Sequence, residues 1–271
     1  MEDLRQTKEW ADWLATTGWI VERVKTGKKY SSVFVRKIPL LPISFLKVQR
    51  YEEVVDWRGL VRLKKKHHVL WSVLEPITEE QEEDAKRHGY RLMRDTYLPG
   101  KTRVIDLTKS EQTILSSMSE NFRRIIKKGS AIKTKQISAN EFYADWQRWA
   151  RSMILTRFQF DKLVEAYGRK AEFWAVEEGG RLLSAVMLLF TADSCFYYQT
   201  WTSNEGRHGG EHVILVFETM KRAKKLGKKF YNFEGVFDSR FPMAKWGGFS
   251  EFKRRFGGYE IEYPGSFMKW F

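Results

Sequence analysis

Three strand-like runs in close succession constrain this chain more than any other feature. Phe173 to Glu177 and Leu182 to Phe190 flank Gly179-Gly180, a pair suited to the tight turn of a hairpin, and the aromatic run Cys195 to Trp201 follows. Helical spacing surrounds them. Phe142, Trp146, Trp149 and Met153 predict a helix over Asn140 to Ile154, and Ile214, Phe217, Met220 and Ala223 share the inner face of a second over Gly209 to Leu226. Lys229 to Phe233 then returns as a strand. This half of the chain mixes strands and helices, as an α/β core does.

The first half alternates in the same manner. Trp10, Trp13 and Leu14 recur at helical spacing, and Trp19 to Lys25 leads into a turn at Thr26-Gly27-Lys28. Strand-like runs at Tyr30 to Val35 and Ile43 to Val48 precede a helix over Tyr51 to Lys64, a strand at His68 to Leu74 and a helix opened by Thr78. Tyr97-Leu98-Pro99-Gly100 is the strongest punctuation and marks the expected boundary between lobes. Beyond it, Val104 to Leu107 reads as a strand, Thr108 as the cap of a helix with Glu111 three residues on, Ser119 to Lys128 as a helix ending at Gly129, and Ile132 to Ile137 as a strand. The expected division is residues 1–100, residues 101–248, and a segment 249–271 packing back between the two lobes.

Charge bounds the partners. Lys and Arg number 48 against 34 Asp and Glu, a net charge of +14, which favours a nucleic acid, a pyrophosphate-bearing substrate or an anionic membrane surface. The single cysteine, Cys195, excludes an internal disulfide, and its aromatic neighbours predict a buried, inert thiol in a reducing cytoplasm. The opening MEDLRQTKEWADW has no apolar signal core, and no run is long and uncharged enough to span a bilayer. The expectation is a soluble or peripheral cytoplasmic protein.

Four motifs bear on chemistry. Trp246 to Gly258, WGGFSEFKRRFGG, joins Phe252, the cations Lys253, Arg254 and Arg255, and Gly257-Gly258 in one segment that reads as an anion-facing site or as an amphipathic strand with a solvated basic edge. His208-Gly-Gly-Glu211-His212 has the spacing of an inverted zinc-peptidase helix, but two glycines make a poor helix interior, and no metal is expected. Arg207-His-Gly-Gly210-Glu-His212 supplies only the first half of a coenzyme A pyrophosphate loop, though amides at Gly209 and Gly210 can receive an anion. Arg123, Arg124, Lys127 and Lys128 share one helical face, and a second basic run includes Lys224 and Lys225. Together they suit a phosphate backbone or a solvated surface, while Tyr197, Tyr198 and Trp201 suit stacking or a core.

The order helix, strand, helix, hairpin, strand, glycine-rich turn, helix, strand resembles the GNAT acyltransferase core, with the first half a looser copy. Taken together, the residues resemble the Fem (FemABX-type) peptidyltransferases. The likeness rests on Gln6-Thr-Lys-Glu-Trp10, Leu74-Glu75-Pro76, Val104-Ile-Asp106-Leu-Thr108, Met118, Asn121-Phe-Arg123-Arg124, Phe196-Tyr-Tyr198, Phe233-Glu-Gly235-Val236 and Phe249-Ser-Glu-Phe252-Lys253-Arg-Arg-Phe256-Gly257-Gly258. It implies an α/β (α+β) protein of two GNAT-like lobes, with mixed sheets flanked by helices. It further implies transfer of an aminoacyl group from aminoacyl-tRNA to the stem peptide of a peptidoglycan precursor, lipid-linked or nucleotide-linked, at or near the cytoplasmic membrane face.

Carried over by residue, the resemblance implies that Lys253, beside Phe252, lies at the reacting ester, that Glu75 accepts a proton from the attacking amine, and that Arg157 and Tyr198 contact the precursor. Trp201 is counted with the substrate-binding residues. Arg123, Arg124, Lys127, Lys128, Lys224 and Lys225 form the expected tRNA surface. No cofactor is expected, because the donor ester is already activated. Leu14 stands where some members carry a phosphate-binding lysine, and no heptad-rich arm is present, so donor, acceptor and oligomeric state stay open. An acyl-CoA or acyl-carrier N-acyltransferase, and an RNA-binding protein without transfer activity, are the alternative readings.

Overall fold

Side-chain caps set most helix starts. Thr7, Asp56, Thr78, Ser110, Ser119, Ser138 and Thr156 each accept a hydrogen bond from an amide of the first turn that would otherwise lack a partner. The computed structural model describes residues 1–53, 55–129, 132–150, 155–207, 209–241 and 247–271. In chain order the elements are α1 (Lys8–Thr16), β1 (Ile20–Thr26), β2 (Lys29–Lys37), β3 (Ser44–Tyr51), α2 (Trp57–Lys66), β4 (Val69–Pro76), α3 (Glu79–Arg87), β5 (Arg91–Leu92) and β6 (Lys101–Asp106). There follow α4 (Glu111–Ser116), α5 (Glu120–Lys128), β7 (Thr134–Gln136), α6 (Ala139–Trp149), α7 (Arg157–Tyr167), β8 (Ala171–Glu178), β9 (Arg181–Phe190) and β10 (Ser194–Thr202). The last are α8 (Glu211–Lys225), β11 (Phe230–Val236), α9 (Gly247–Arg254), β12 (Tyr259–Glu262) and β13 (Phe267–Trp270).

The chain forms two units. One comprises Asp3–Lys101, Phe237–Met243 and Glu262–Phe271; the other comprises Met1–Glu2, Thr102–Val236 and Ala244–Ile261. The first holds a six-stranded sheet in the order β1-β2-β3-β4-β13-β5. Its β1, β2 and β3 are antiparallel neighbours, β4 runs parallel to β3, and β13 enters antiparallel between β4 and β5. Val33, Val35, Leu46, Val48, Leu60 and Leu74 fill its core.

The second unit holds a seven-stranded sheet in the order β12-β6-β11-β10-β9-β8-β7. Here β8, β9 and β10 are antiparallel and β11 is parallel to β10, the same pattern as β1 to β4. Helix α8 covers this sheet with Val213, Leu215, Val216 and Met220, packed in a cluster with Leu188, Tyr231, Phe233 and Phe256. Burial of that apolar surface, at roughly 25 cal/mol per Å², is what holds the helix against the sheet.

Several boundaries differ from the sequence expectation for local reasons. Tyr51 closes β3, buried and paired with Pro76, and the next helix waits for the Asp56 cap. Thr108 is not a helix cap: its amide and hydroxyl both donate to Asp106, and Ser110 caps α4. Strands β5, β12 and β13 and helix α7 were not anticipated. Met153 and Ile154, placed in a helix by sequence spacing, lie outside the described residues, as do His208 and Trp246.

Candidate functional site

The FKRRF segment folds as the end of α9 and not as a basic-edged strand. Phe252 and Phe256 stand four residues apart, so a helix places both on one face, and both join the core cluster around Phe122 and Phe233. Most of the positive charge is consumed locally. Arg254 Nε donates to Glu260 at 2.7 Å, and Arg255 Nε donates to Glu251 at 3.2 Å. Gly257 and Gly258 both have positive φ, and a Cβ would fall 2.6 Å from the Ser117 carbonyl oxygen at the first and 2.2 Å from the Val104 oxygen at the second. The glycine pair therefore lets the chain turn tightly against α4 and β6.

Lys253 is the exception among these cations. Half-buried, its Nζ donates to the Gly235 carbonyl at 2.5 Å, at the end of β11. Burial pulls its pKa down to about 8, against the opposing pull of the nearby Glu234 carboxylate. At pH 7 the group is still a cation, and a weakly solvated one. Glu234 itself has φ of 61°, a left-handed conformation that a non-glycine residue seldom adopts.

Phe252 leads to a second group of residues. Its ring stacks on His212, with centroids 5.3 Å apart and planes 28° from parallel. His212, in the first turn of α8, is held at both ring nitrogens: Nδ1 lies 2.6 Å from Ser184 Oγ on β9, and Nε2 lies 2.6 Å from the Tyr197 hydroxyl on β10. The Ser184 hydroxyl donates to the Trp201 carbonyl, which leaves it to accept from Nδ1–H while Tyr197 donates to Nε2. That assignment requires a neutral ring. Burial agrees, lowering the His212 pKa to about 4 and raising that of Tyr197. Thr200 Oγ1 also lies 3.5 Å from Nε2. Residues 197 and 200 would face opposite sides of a regular strand, and the register shift between Tyr197 and Gln199 lets both reach the same nitrogen.

Sequence reasoning singles out Lys253 and Phe252 and takes His212 only as part of a zinc or coenzyme A motif. The signal available was a histidine just after Gly209-Gly210, opposite an aromatic strand. Among the described residues no group of three or more histidine, cysteine or acidic side chains is arranged to hold a metal.

Other expected site residues are placed variously. Tyr198 is half-buried on β10. Trp201 is 2% exposed, with an indole N–H that finds no acceptor, so its ring belongs to the interior and offers no face to a base. Arg157 opens α7, bonds Asp161 at 2.8 Å and Asn140, and lies over the Tyr143 ring at 4.8 Å. On α5, Arg123, Arg124, Lys127 and Lys128 are all exposed, one continuous basic face. The second basic run is not its equal. Lys224 donates to the Leu107 and Lys109 carbonyls, Arg222 pairs with Glu172, and Lys228 donates to Thr191 and Ala192, whereas Lys225 is exposed.

Glu75 lies in the other unit. It is 1% exposed at the end of β4, and its carboxylate accepts from Gln49 Nε2, the Leu98 amide and Ser266 Oγ, each at 2.8 Å. Three donors occupy the carboxylate and tie β3, the 97–100 segment and the chain before β13 together.

Residues 156–270 match the FemAB family. The matched segment contains Ser184, Tyr197, His212, Phe252 and Lys253, whereas Glu75 and the α5 cations fall outside it. No curated protein sequence matches it. Among solved structures, a crystal structure of FemX is similar with a TM-score of 0.82 at 17% identity, over 99% of this chain and 92% of that one. The C-terminal domain of a putative lysylphosphatidylglycerol synthetase from Agrobacterium fabrum gives 0.60 at 13% identity, over 98% and 88%. A tandem GNAT protein from the clavulanic acid biosynthesis pathway gives 0.55 at 11%, over 93% and 83%. At such identities the likeness speaks to fold, and the GNAT-like α/β architecture expected from element order is the fold of this chain.

Proposed function

We propose that this protein transfers an aminoacyl group from aminoacyl-tRNA to an amine on the stem peptide of a peptidoglycan precursor, lipid II or UDP-MurNAc-pentapeptide. The observation that carries the reading is Lys253, a half-buried cation within the FemAB segment, steered by Gly235 and flanked by a Phe252 ring that is itself stacked on His212. In the reaction the acceptor amine attacks the ester carbonyl, and the electrons of the C=O bond move onto oxygen. Collapse of that oxyanion breaks the bond to the tRNA ribose oxygen, which takes up a proton as the attacking nitrogen loses one. A fixed ammonium in a partly dry site stabilises the oxyanion, and such groups are worth on the order of 3 kcal/mol.

The same reading gives the exposed α5 face the role of receiving the tRNA phosphates, and gives Arg157 and Tyr198 the role of contacting the precursor. The three hydrogen bonds on Glu75 support positioning of its segment over proton transfer. The deciding experiment is transfer of labelled amino acids from a mixed aminoacyl-tRNA pool onto lipid-linked and nucleotide-linked muropeptides. RNase-sensitive product is expected, reduced at least about 100-fold in Lys253→Met with an unchanged circular dichroism spectrum and Tm. Near-normal turnover by Lys253→Met removes Lys253 from the chemistry. Saturable acyl-CoA binding without tRNA-dependent product redirects the assignment to an N-acyltransferase, and tRNA binding indifferent to aminoacylation, with no product, to an RNA-binding protein.

A further inference from the structure

One end of the six-stranded sheet is chemically unlike the rest of its unit. By register it gathers the start of β1, the end of β2, the starts of β3 and β4 and the end of β13: Ile20 opposes Val35, Lys37 opposes Ser44, Ser44 opposes Val69, and Trp270 opposes Trp71. The β2–β3 connection at this end is Ile38-Pro-Leu-Leu-Pro-Ile43, closed by a backbone hydrogen bond from Ile38 to Ile43 at 3.0 Å. Its tip turns four apolar residues outward, with Leu40 103% and Leu41 55% exposed and Pro39 and Pro42 exposed beside them. Leu40 has φ of 66°, so the tip holds a leucine in a conformation usually left to glycine.

Behind the tip an aromatic row crosses the sheet. Trp19 meets Phe45 at 5.7 Å, Phe45 stacks on Trp71 at 5.3 Å, and Trp71 meets Trp270 at 5.4 Å, with Trp270 itself 60% exposed. Cations surround this row. Lys47 Nζ and Arg36 lie over the Trp19 ring at 4.3 and 5.5 Å, and Arg36, Lys37 and Lys65 are exposed. Segments 19–22, 36–44, 64–71 and 269–271 carry six cations against one carboxylate, Glu22, which Lys66 and His67 engage at 2.7 Å. Lys64 is buried on the Tyr90 hydroxyl and Lys269 donates to the His88 carbonyl, which leaves Arg36, Lys37 and Lys65 as the exposed charges of this end.

An apolar tip, an aromatic row beneath it and the exposed cations Arg36, Lys37 and Lys65 match the layers of a bilayer interface: acyl boundary, headgroup level and anionic surface. We infer that this end of the N-terminal sheet docks on anionic phospholipid membrane, with Leu40 and Leu41 entering the headgroup–acyl boundary. Among the described residues no helix is long and apolar enough to cross a membrane, so attachment through this surface is peripheral. The inference deepens the proposed function by naming where a lipid-linked acceptor's membrane is met, and it rests on that reading only for its purpose, because its test needs no precursor.

The test is sedimentation of the full chain with vesicles of equal phosphatidylglycerol and phosphatidylcholine, and with phosphatidylcholine alone. Binding to the anionic vesicles is expected, with little to the neutral ones. Leu40→Asp/Leu41→Asp is expected to raise the lipid concentration for half-binding about tenfold without lowering Tm, the altered side chains being solvent-exposed. Lys37→Glu/Lys65→Glu should weaken binding and its salt dependence together. A Leu40→Cys chain carrying an environment-sensitive dye should shift its emission to the blue on anionic vesicles; the single native thiol, Cys195, is buried. No binding, or binding that survives the Leu40/Leu41 change as charge on α5 alone would give, overturns the inference. Transfer to a nucleotide-linked muropeptide should be unchanged in the same variant, so failure of the membrane surface and failure of the transferase reading are separately visible.

Discussion

The two units carry one strand order with different contents. In each, three antiparallel strands are followed by a helix and a fourth strand parallel to the third: β1, β2, β3, α2, β4 in one and β8, β9, β10, α8, β11 in the other. In the N-terminal unit the helix start is closed by Asp56, and Glu75, near the end of β4, is held by three donors. In the C-terminal unit α8 begins at Gly210, with φ of 85° and no side-chain cap, and His212 is aimed back at strand hydroxyls and against Phe252. Desolvated lysines occur in both copies, since burial pulls the pKa of Lys47 and Lys64 in the first down to about 8 and about 7 and that of Lys253 in the second to about 8. What sets the second copy apart is the buried imidazole stacked on the ring beside its lysine.

The comparison can be broken at either copy. If Glu75 is a structural tie, Glu75→Ala leaves Gln49, Ser266 and the Leu98 amide without their acceptor and should cost on the order of 3 kcal/mol of stability, read as a lower urea midpoint. Transfer by the folded fraction should survive. A variant of normal stability and no activity would instead make Glu75 a reacting group.

His212 sharpens the contrast from the other side. Its folded pKa of about 4 lies below the ordinary 6.5, so its contribution to stability is complete above pH 6.5 and lost as pH falls towards 4, where the unfolded chain binds the proton first. The difference in unfolding free energy between wild type and His212→Gln should shrink over that interval, by on the order of 2 to 3 kcal/mol. At pH 7.5 the same variant is expected to lower kcat about tenfold with KM for the aminoacyl donor unchanged, because it releases the Phe252 ring beside Lys253 while leaving the lysine in place. An unchanged kcat would limit His212 to packing.

The smallest effect is expected at α5. Arg124→Glu/Lys127→Glu reverses two exposed charges and should weaken tRNA binding several-fold, reduce its salt dependence and leave Tm within about 1 °C, since surface changes of this kind usually move stability by less than 0.5 kcal/mol. Equal loss on Lys225→Glu would restore the second basic run, most of which is tied to carbonyls and carboxylates within its unit.

What the sequence determined by itself was local. Apolar periodicity and capping residues identified α1, α3, α5, α8 and the β8–β9 hairpin, because a helix or a strand is specified by neighbours a few residues away. The Trp246 to Gly258 segment reads from sequence as an anion-facing site or an edge strand, and the helix at its centre, α9, emerges only in the fold. The tertiary structure decided everything that joins distant segments. Phe267–Trp270 enters between β4 and β5, a bulge turns Tyr197 and Thr200 towards one imidazole, and Glu75 receives donors from positions 49, 98 and 266. The Lys253 pKa belongs with these, since desolvation is a property of what surrounds a charge after the chain has closed and not of the residues beside it in sequence.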